Sequence, residues 1–155
     1  MSVETGQPAP DVALPTDGGG HVSLPDLTGK AIVLYFYPKD DTPGCTKEAI
    51  AFKESLADFE AAGAVIVGVS KDPVAKHDKF KAKYDLPFVL ASDAEGDVCE
   101  RYGVWTEKNM YGKTYMGIAR TTVLIDRDGV VRQVWPKVKV PGHAEAVLEA
   151  VRALG

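Results

Sequence analysis

Two continuous apolar segments are the clearest feature in the pattern of hydrophobic and polar positions. One is AIVLYFYP (31–38), which a proline closes, and the other is AVIVGVS (64–70). Such runs are typical of strands that are buried on both faces of a sheet because helices cover them. We therefore predict two central strands at these positions.

Each apolar segment is followed by a sequence with helical periodicity. Apolar residues recur at roughly helical spacing in KEAIAFKESLADFEAAG (47–63), and Gly63 is suited to the C-terminus of a helix. This pattern predicts a helix of about four turns. A second, strongly charged helix is predicted at DPVAKHDKFKAKYD (72–85), with Val74 and Phe80 pointing inward.

The rest of the chain continues the alternation of strands and helices. The predicted elements are a strand at 88–93, a short helix around 95–103, a hairpin at 121–135 that turns at Asp128–Gly129, and a closing helix at 143–154. This order predicts an α/β fold, a thioredoxin-like sandwich whose mixed sheet of about five strands has helices on both faces. We expect one domain that spans residues 1–155.

Charge and composition exclude several classes of partner. The formal net charge is −4, and no cluster of lysine and arginine is long enough to favour nucleic acid or an anionic membrane surface. No apolar run approaches the length of a membrane span. The first ten residues, MSVETGQPAP, lack the basic and apolar regions of a secretory signal, so we expect a cytoplasmic protein whose partners are small molecules or other proteins.

The cysteines and histidines do not form the pattern of a metal site or a disulfide scaffold. Two cysteines are too few for a scaffold, and the three histidines are scattered without a CxxC motif. We therefore expect neither a metal nor another cofactor. In a reducing compartment, a cysteine in an unusual position is more often reactive than structural.

Cys45 is in such a position, because it follows the first predicted strand at the start of a helix. Thr42 is a good N-cap and Pro43 fits the first helical position, so TPGC places the thiol in the first turn. Free N–H groups and the positive end of the helix dipole favour an anion there. Because only the thiolate is nucleophilic, this location predicts a reactive cysteine.

The residues around Cys45 also match a known motif. PKDDTPGC fits PxxxTxxC, the active-site motif of peroxiredoxins, and the chain resembles the peroxiredoxin Q branch, the bacterioferritin comigratory proteins. The segments that carry this resemblance are FYPKDDTPGCTKEA (36–49), VIVGVSKDP (65–73), FVLASDAEGDVCERYGVW (88–105) and GIARTTVLIDRDGVV (117–131). The resemblance implies a peroxiredoxin-type thioredoxin fold and the reduction of hydrogen peroxide and organic hydroperoxides.

The resemblance also implies roles for individual residues. Cys45 corresponds to the peroxidatic nucleophile, and Arg120, which precedes a late strand, would stabilise the thiolate and the peroxide oxygens. The Thr42 hydroxyl would orient the peroxide, and Pro38 would shield the thiolate from water. Glu48, one turn after Cys45, would hold Arg120 in place.

The chain departs from many relatives in lacking a familiar resolving cysteine. One such position is Ile50 and the other is Lys81. Cys99 lies in a predicted short helix, where a cysteine most often serves packing, although it remains open as an unusual resolver. We expect a one-cysteine monomer in which an external thiol, either thioredoxin or glutathione with glutaredoxin, reduces the sulfenic acid of Cys45.

Two alternative functions use the same cysteine. A thiol–disulfide oxidoreductase would need CxxC at the helix start, but the chain has CTKE (45–48). A non-catalytic redox sensor would need the same reactive thiol and would differ only in failing to turn over. Turnover with a thiol recycling system therefore separates the sensor from the peroxidase.

Overall fold

The computed structural model describes residues 3–27 and 29–154, and strands and helices alternate through most of this part of the chain. The strands are β1 (Ala13–Pro15), β2 (His21–Ser23), β3 (Ala31–Phe36), β4 (Ala64–Ser70), β5 (Val89–Ser92), β6 (Trp105–Met110), β7 (Lys113–Ile118), β8 (Thr121–Ile125) and β9 (Val131–Trp135). The helices are α1 (Pro43–Glu54), α2 (Leu56–Ala61), α3 (Val74–Tyr84), α4 (Val98–Arg101) and α5 (His143–Ala153). None of these helices is both long and apolar enough to span a membrane.

A mixed five-stranded sheet forms the centre of the protein, in the order β5-β4-β3-β8-β9. β3 runs parallel to β4 and antiparallel to β8, while β4 and β5 are parallel and β8 and β9 are antiparallel. The predicted central strands, the hairpin at 121–135 and the thioredoxin-like α/β class are confirmed. The sheet is mixed because β3 and β4 are joined through helices, whereas β8 and β9 are joined by a tight turn.

Every residue of β3 is buried, so its side chains supply two separate cores on the two faces of the sheet. Val33 and Tyr35 pack in a core with apolar residues of α1, α2, α3 and α5. Leu34 and Phe36 pack in the opposite core, which includes β1, β2 and α4. The continuous apolar pattern of this strand follows from that two-sided burial.

The helix predicted at 47–63 is interrupted at Ser55, which separates α1 from α2. The Ser55 N–H donates to the Phe52 carbonyl at 3.2 Å, the tight i→i−3 contact that commonly ends a helix. Phe52 and Phe59 nevertheless remain fully buried, with their ring centroids 5.9 Å apart. The apolar periodicity therefore predicted the burial of Phe52 and Phe59 correctly, whereas Ile50 and Leu56 are only half-buried, and it did not show the break.

The prediction that Val74 points inward is wrong in part. Val74 is only half-buried, whereas Phe80 is buried as expected and His77 is fully buried between them. A histidine in a charged helix gives no apolar signal, and its burial depends on partners from other parts of the chain.

The hairpin formed by β6 and β7 was not predicted. Most of its residues are exposed, so the sequence lacks the apolar alternation of a half-buried strand pair. Its turn contains Tyr111 at φ 54° and Gly112 at φ 77°. Two consecutive left-handed residues are what a two-residue type I′ turn requires, but tyrosine is not one of the residues that usually mark it.

Gly68 in β4 provides a test of this core. A Cβ atom at Gly68 would lie 2.8 Å from Cζ of Tyr35, whose ring is fully buried. We expect Gly68→Ala to lower the free energy of unfolding by about 1–3 kcal/mol, because the ring has no space into which to move. Urea unfolding of the two proteins measures this difference.

Gly117→Ala is the matched control in another strand. A Cβ at Gly117 would approach the flexible side chain of Lys108 at 3.1 Å, and that side chain can shift. We expect a change below about 0.5 kcal/mol for this variant. Equal effects at the two glycines would contradict the packing that we describe around Tyr35.

Candidate active site

The chain leaves the sheet at the end of β3 and starts α1 after a short loop. Thr42 has extended φ and ψ angles of −94° and 156° and occupies the N-cap position, with Pro43 as the first helical residue. Cys45 is therefore the third residue of α1, as predicted. Pro38 lies half-buried at the start of the same loop.

The Thr42 hydroxyl does not cap the helix, although the residue stands at the N-cap position. It donates instead to the Lys39 carbonyl at 2.9 Å. A hydroxyl that uses its hydrogen in this way keeps its oxygen lone pairs as acceptors. The loop therefore presents a hydrogen-bond acceptor close to the start of α1.

Arg120 comes from the segment between β7 and β8 and contacts two residues of α1. Its Nη2 lies 3.4 Å from Sγ of Cys45, and its Nη1 donates to Oε1 of Glu48 at 2.7 Å. Gly44 leaves room for this approach, because a Cβ there would lie 3.1 Å from Nη2. The Arg120 carbonyl accepts from the Val138 N–H at 2.9 Å, which fixes the backbone behind the guanidinium.

Glu48 is buried at this contact, with its side chain only 2% exposed. Its Oε2 has no hydrogen-bond partner in the described ranges. Burial raises the pKa of Glu48 to about 7, although the charge and hydrogen bond of Arg120 act in the opposite direction. Near neutral pH, Glu48 therefore holds a proton in a substantial fraction of the molecules.

His143 adds no positive charge to this region. Its Nε2 lies 2.7 Å from the Thr122 hydroxyl, in the geometry in which a neutral imidazole accepts from the O–H. Burial, together with the positive charge of Arg120, lowers the pKa of His143 to about 4. The imidazole is thus neutral in the pH range in which a thiolate forms.

Cys45 and Cys99 lie on opposite faces of the sheet. Cys45 is 1% exposed and belongs to the core that contains α1, whereas Cys99 is fully buried in the core that contains α4. The Cys99 N–H donates to Asp93 at 2.8 Å. Burial, together with the negative charge of Asp93, raises the pKa of the Cys99 thiol, so this residue has the environment of a packing cysteine.

Lys108 in β6 is close to the site and was not singled out from the sequence. Burial and the nearby Arg120 lower its pKa, while the negative charge of Cys45 acts in the opposite direction. Its aliphatic chain lies across Gly117 of the neighbouring strand, the position at which a Cβ would approach it at 3.1 Å. No sequence signal was available, because the hairpin that carries Lys108 was not predicted.

The structure therefore assembles three of the predicted site residues directly, namely Cys45, Glu48 and Arg120. Thr42 and Pro38 lie in the loop that precedes Cys45, and Cys99 is separated from it by the sheet. Comparison with known proteins supports the resemblance seen in the sequence: the family model described as AhpC/TSA matches residues 5–134. The chain belongs to the AhpC/TSA family.

Relatives within this family match nearly the whole chain. Peroxiredoxin Bcp of Bacillus subtilis is 50% identical over 152 residues, which cover 98% of this chain and 97% of its own. A Coxiella burnetii protein that also bears the name peroxiredoxin bcp is 57% identical over 148 residues, with 96% and 98% of the two chains covered. These relatives confirm the resemblance to the peroxiredoxin Q branch, the bacterioferritin comigratory proteins.

Solved structures support the same assignment and the fold. The Xanthomonas campestris bacterioferritin comigratory protein, studied for alkyl peroxide reduction, superimposes with a TM-score of 0.91 at 45% identity, covering 97% of this chain and 99% of its own. A structure of Xanthomonas campestris peroxiredoxin Q gives a TM-score of 0.87 at 48% identity, with 92% and 90% covered. These comparisons do not favour a non-catalytic sensor.

The raised pKa of Glu48 predicts a specific pH dependence of stability. A glutamate has a pKa of about 4.3 in an unfolded chain, whereas that of Glu48 in the folded protein is about 7. Between these values the folded protein binds the extra proton, so its free energy of unfolding falls as the pH rises. This difference corresponds to roughly 2–4 kcal/mol across the window.

Urea unfolding of the wild type and of Glu48→Gln at several pH values between 4 and 8 measures this effect. We expect the wild type to lose stability relative to the variant as the pH rises, and the difference to level off above the pKa of Glu48. Weaker pairing with Arg120 in the variant contributes a constant offset and does not affect the slope. A pH-independent difference would show that folding does not raise the pKa of Glu48.

Proposed function

We propose that this protein is a thiol peroxidase that reduces hydrogen peroxide and organic hydroperoxides, with Cys45 as its nucleophile. The observation that carries this proposal is the position of Arg120, whose guanidinium contacts both Sγ of Cys45 and the Glu48 carboxyl group. A cation in contact with a sulfur at the start of a helix stabilises the thiolate. The names and alkyl peroxide chemistry of the relatives support the same reaction class.

The first half-reaction is a displacement at oxygen. The Cys45 thiolate donates an electron pair to one peroxide oxygen, the S–O bond forms and the O–O bond breaks. The second oxygen leaves as hydroxide or alkoxide and takes up a proton, which gives water or an alcohol. Cys45 is oxidised to the sulfenic acid, and the peroxide is reduced by two electrons.

The other residues near Cys45 have roles that fit this displacement. Arg120 donates hydrogen bonds toward the oxygen atoms while negative charge develops on the departing one. The Thr42 hydroxyl, which donates to Lys39, accepts from the O–H of a hydroperoxide and thereby orients it. Pro38 limits the access of water, and Glu48 holds Arg120 at 2.7 Å.

The second half-reaction uses an external thiol, because Cys99 is buried across the sheet from Cys45. One thiol attacks the sulfenic sulfur, releases water and forms a mixed disulfide. A second thiol then attacks that disulfide, which regenerates Cys45 and leaves the reductant as a disulfide. Thioredoxin, or glutathione with glutaredoxin, supplies the two thiols in this proposal. The resemblance to the peroxiredoxin Q branch also supports a monomer.

Serine substitutions of the two cysteines test this assignment. We expect Cys45→Ser to abolish hydroperoxide turnover, because a hydroxyl at this position is not deprotonated near neutral pH. Cys99→Ser is the matched control and should retain near-normal turnover with a small-thiol or glutaredoxin-type reductant. The assay follows peroxide consumption in the presence of excess reductant.

Intact mass measurement of the oxidised wild type completes this test. After one equivalent of peroxide, we expect a sulfenic-acid trap to label Cys45. We expect no intramolecular disulfide in the oxidised protein. Retained turnover of Cys45→Ser would refute the assignment of the nucleophile. A stoichiometric Cys45–Cys99 bridge, together with lost turnover in Cys99→Ser, would instead indicate an unusual two-cysteine enzyme.

Arg120→Ala tests the electrostatic part of the mechanism. We expect the rate constant for oxidation of Cys45 by peroxide to fall by about a hundredfold to a thousandfold, because both the thiolate and the departing oxygen lose their cation. Arg132→Ala is a suitable control, since Arg132 is an exposed arginine that pairs with Asp126 at 3.4 Å. Competition with a peroxidase of known rate measures both variants, and similar rates for the two would argue against a catalytic role of Arg120.

A further inference from the structure

A buried polar cluster lies beneath the loop that precedes Cys45. The Asp40 carboxylate is its centre: Oδ2 lies 2.6 Å from Nδ1 of His77, and Oδ1 accepts from the Tyr37 hydroxyl at 2.5 Å. Nε2 of His77 lies 2.9 Å from the Ala91 carbonyl. The Asp40 and His77 side chains are only 3% and 0% exposed, so these contacts are shielded from water.

The two contacts of His77 limit its possible protonation states. A carbonyl oxygen can only accept, so Nε2 of His77 must carry a hydrogen to bond to Ala91. Nδ1 faces a carboxylate oxygen, which also accepts. An imidazolium that donates from both nitrogens to an ionised Asp40 satisfies both contacts, as does a neutral imidazole that accepts from a protonated Asp40, and the charges around the pair favour the buried His77–Asp40 ion pair.

The charged groups around this pair are consistent with an imidazolium. Burial opposes the charge on His77, but the hydrogen bond and negative charge of Asp40 raise its pKa above the usual value, and Asp72 acts in the same direction. Burial and nearby acidic groups raise the pKa of Tyr37 well above its usual value, so this hydroxyl remains a donor. Asp40 thus receives hydrogen bonds from two directions.

The backbone of Asp40 is fixed as well as its side chain. The Asp40 N–H donates to Oδ2 of Asp72 at 2.7 Å, and the same oxygen accepts from the Ser70 hydroxyl at 2.8 Å. The loop between β3 and α1 is therefore linked through Asp40 to the residues that follow β4 and to α3. Asp40 is two residues from both Pro38 and Thr42 in the sequence.

We propose that the buried His77–Asp40 pair is a positioning device that fixes residues 38–42 in the geometry that peroxide reduction by Cys45 requires. This inference rests on the proposed function. His77 and Asp40 do not touch the sulfur, so they act through the loop that carries Pro38 and Thr42. α3, which the sequence predicts only as a charged helix, therefore supports the active site through the contact of His77 with Asp40.

The physical reason is the strict geometry of attack on the O–O bond. The thiolate must approach one oxygen in line with the departing one, and small displacements of positioning groups are costly in rate. Alkylation of the thiolate by iodoacetamide does not depend on how the loop orients a peroxide. A positioning role therefore predicts a selective loss of the reaction with peroxide, whereas a purely structural role predicts parallel changes in both reactions.

The neighbouring Asp41 provides a matched control in the same loop. Its carboxylate contacts Lys83 and the Tyr84 hydroxyl of α3 at 2.8 and 2.7 Å, but both contacts are exposed. Asp41 has φ 58°, a conformation that asparagine tolerates well. Asp40→Asn and Asp41→Asn thus make the same chemical change at adjacent positions, one buried and one exposed.

The experiment compares wild type, Asp40→Asn, His77→Gln, Tyr37→Phe and Asp41→Asn. For each protein, the rate constants of Cys45 with hydrogen peroxide and with iodoacetamide are measured at pH 7, together with the free energy of unfolding. We expect the ratio of the two rate constants to fall about tenfold to a hundredfold in Asp40→Asn and His77→Gln. Asp41→Asn should change the ratio by less than about twofold, since exposed charge pairs contribute little.

Nitrogen NMR of His77 supplies a spectroscopic readout. We expect both ring nitrogens to be protonated in the wild type at pH 7, and His77 to become neutral in Asp40→Asn because the buried counter-charge is lost. A neutral His77 in the wild type would overturn the ion pair. If His77→Gln does not fold, Asp40→Asn and Tyr37→Phe, which retain the shapes of their side chains, provide the same comparison of rates.

Two further outcomes would contradict the inference. Peroxide and iodoacetamide rates that fall in the same proportion would assign the pair a structural role, and unchanged rates in Asp40→Asn would remove any role in positioning. A wild-type Cys45 that reacts with peroxide no faster than with iodoacetamide would contradict the proposed function itself. If wild-type Cys45 reacts faster with peroxide than with iodoacetamide, but the ratio of the two rate constants is unchanged in the variants, only this inference is overturned and the proposed function stands.

Discussion

The burial of β3 on both faces is the constraint on which the rest of the structure depends. A strand without an exposed residue needs helices on one side and a second apolar layer on the other, and this requirement produces the two cores. At the end of the strand the backbone loses its sheet partners while it is still at the protein interior. Its polar groups must then find other partners, and Asp72 supplies one by accepting from the Asp40 N–H. The short loop to α1 is therefore well determined, and so is the position of Cys45.

The same sheet separates the two cysteines and thereby limits the redox chemistry. A disulfide requires Cα atoms within about 7 Å of each other, and in this fold β3 and its neighbours lie between Cys45 and Cys99. Cys99 is also held by its N–H bond to Asp93, so bringing it to the other side would disrupt a whole layer of packing. An external thiol can approach Cys45 without disrupting the sheet. Because Cys45 is only 1% exposed, however, a large reductant must displace the residues that cover it.

Local patterns in the sequence were sufficient for the central strands, the closing hairpin and the position of Cys45, because each depends on neighbouring residues. The resemblance to the peroxiredoxin Q branch also placed Glu48 and Arg120 near the sulfur, although they are 72 residues apart. The His77–Asp40 pair joins positions 37 residues apart and has no periodic signal, so it could not be predicted. The break at Ser55 was missed for a different reason: apolar spacing records which residues are buried and not where the backbone hydrogen bonds are interrupted.

The guanidinium of Arg120 interacts with two acidic groups, Glu48 and Cys45, and the burial of Glu48 determines how strongly each of them attracts its positive charge. An ionised Glu48 would compete with the Cys45 thiolate for one guanidinium, and both anions would lie in a region that stabilises charge poorly. Burial of Glu48, whose Oε2 has no hydrogen-bond partner among the described residues, favours its neutral form and brings its pKa to about 7. When Glu48 is neutral, it still accepts from Nη1 and fixes the orientation of Arg120, but it leaves more of the positive charge to the sulfur. A buried acid that would be costly as an anion is therefore well suited to orient this arginine.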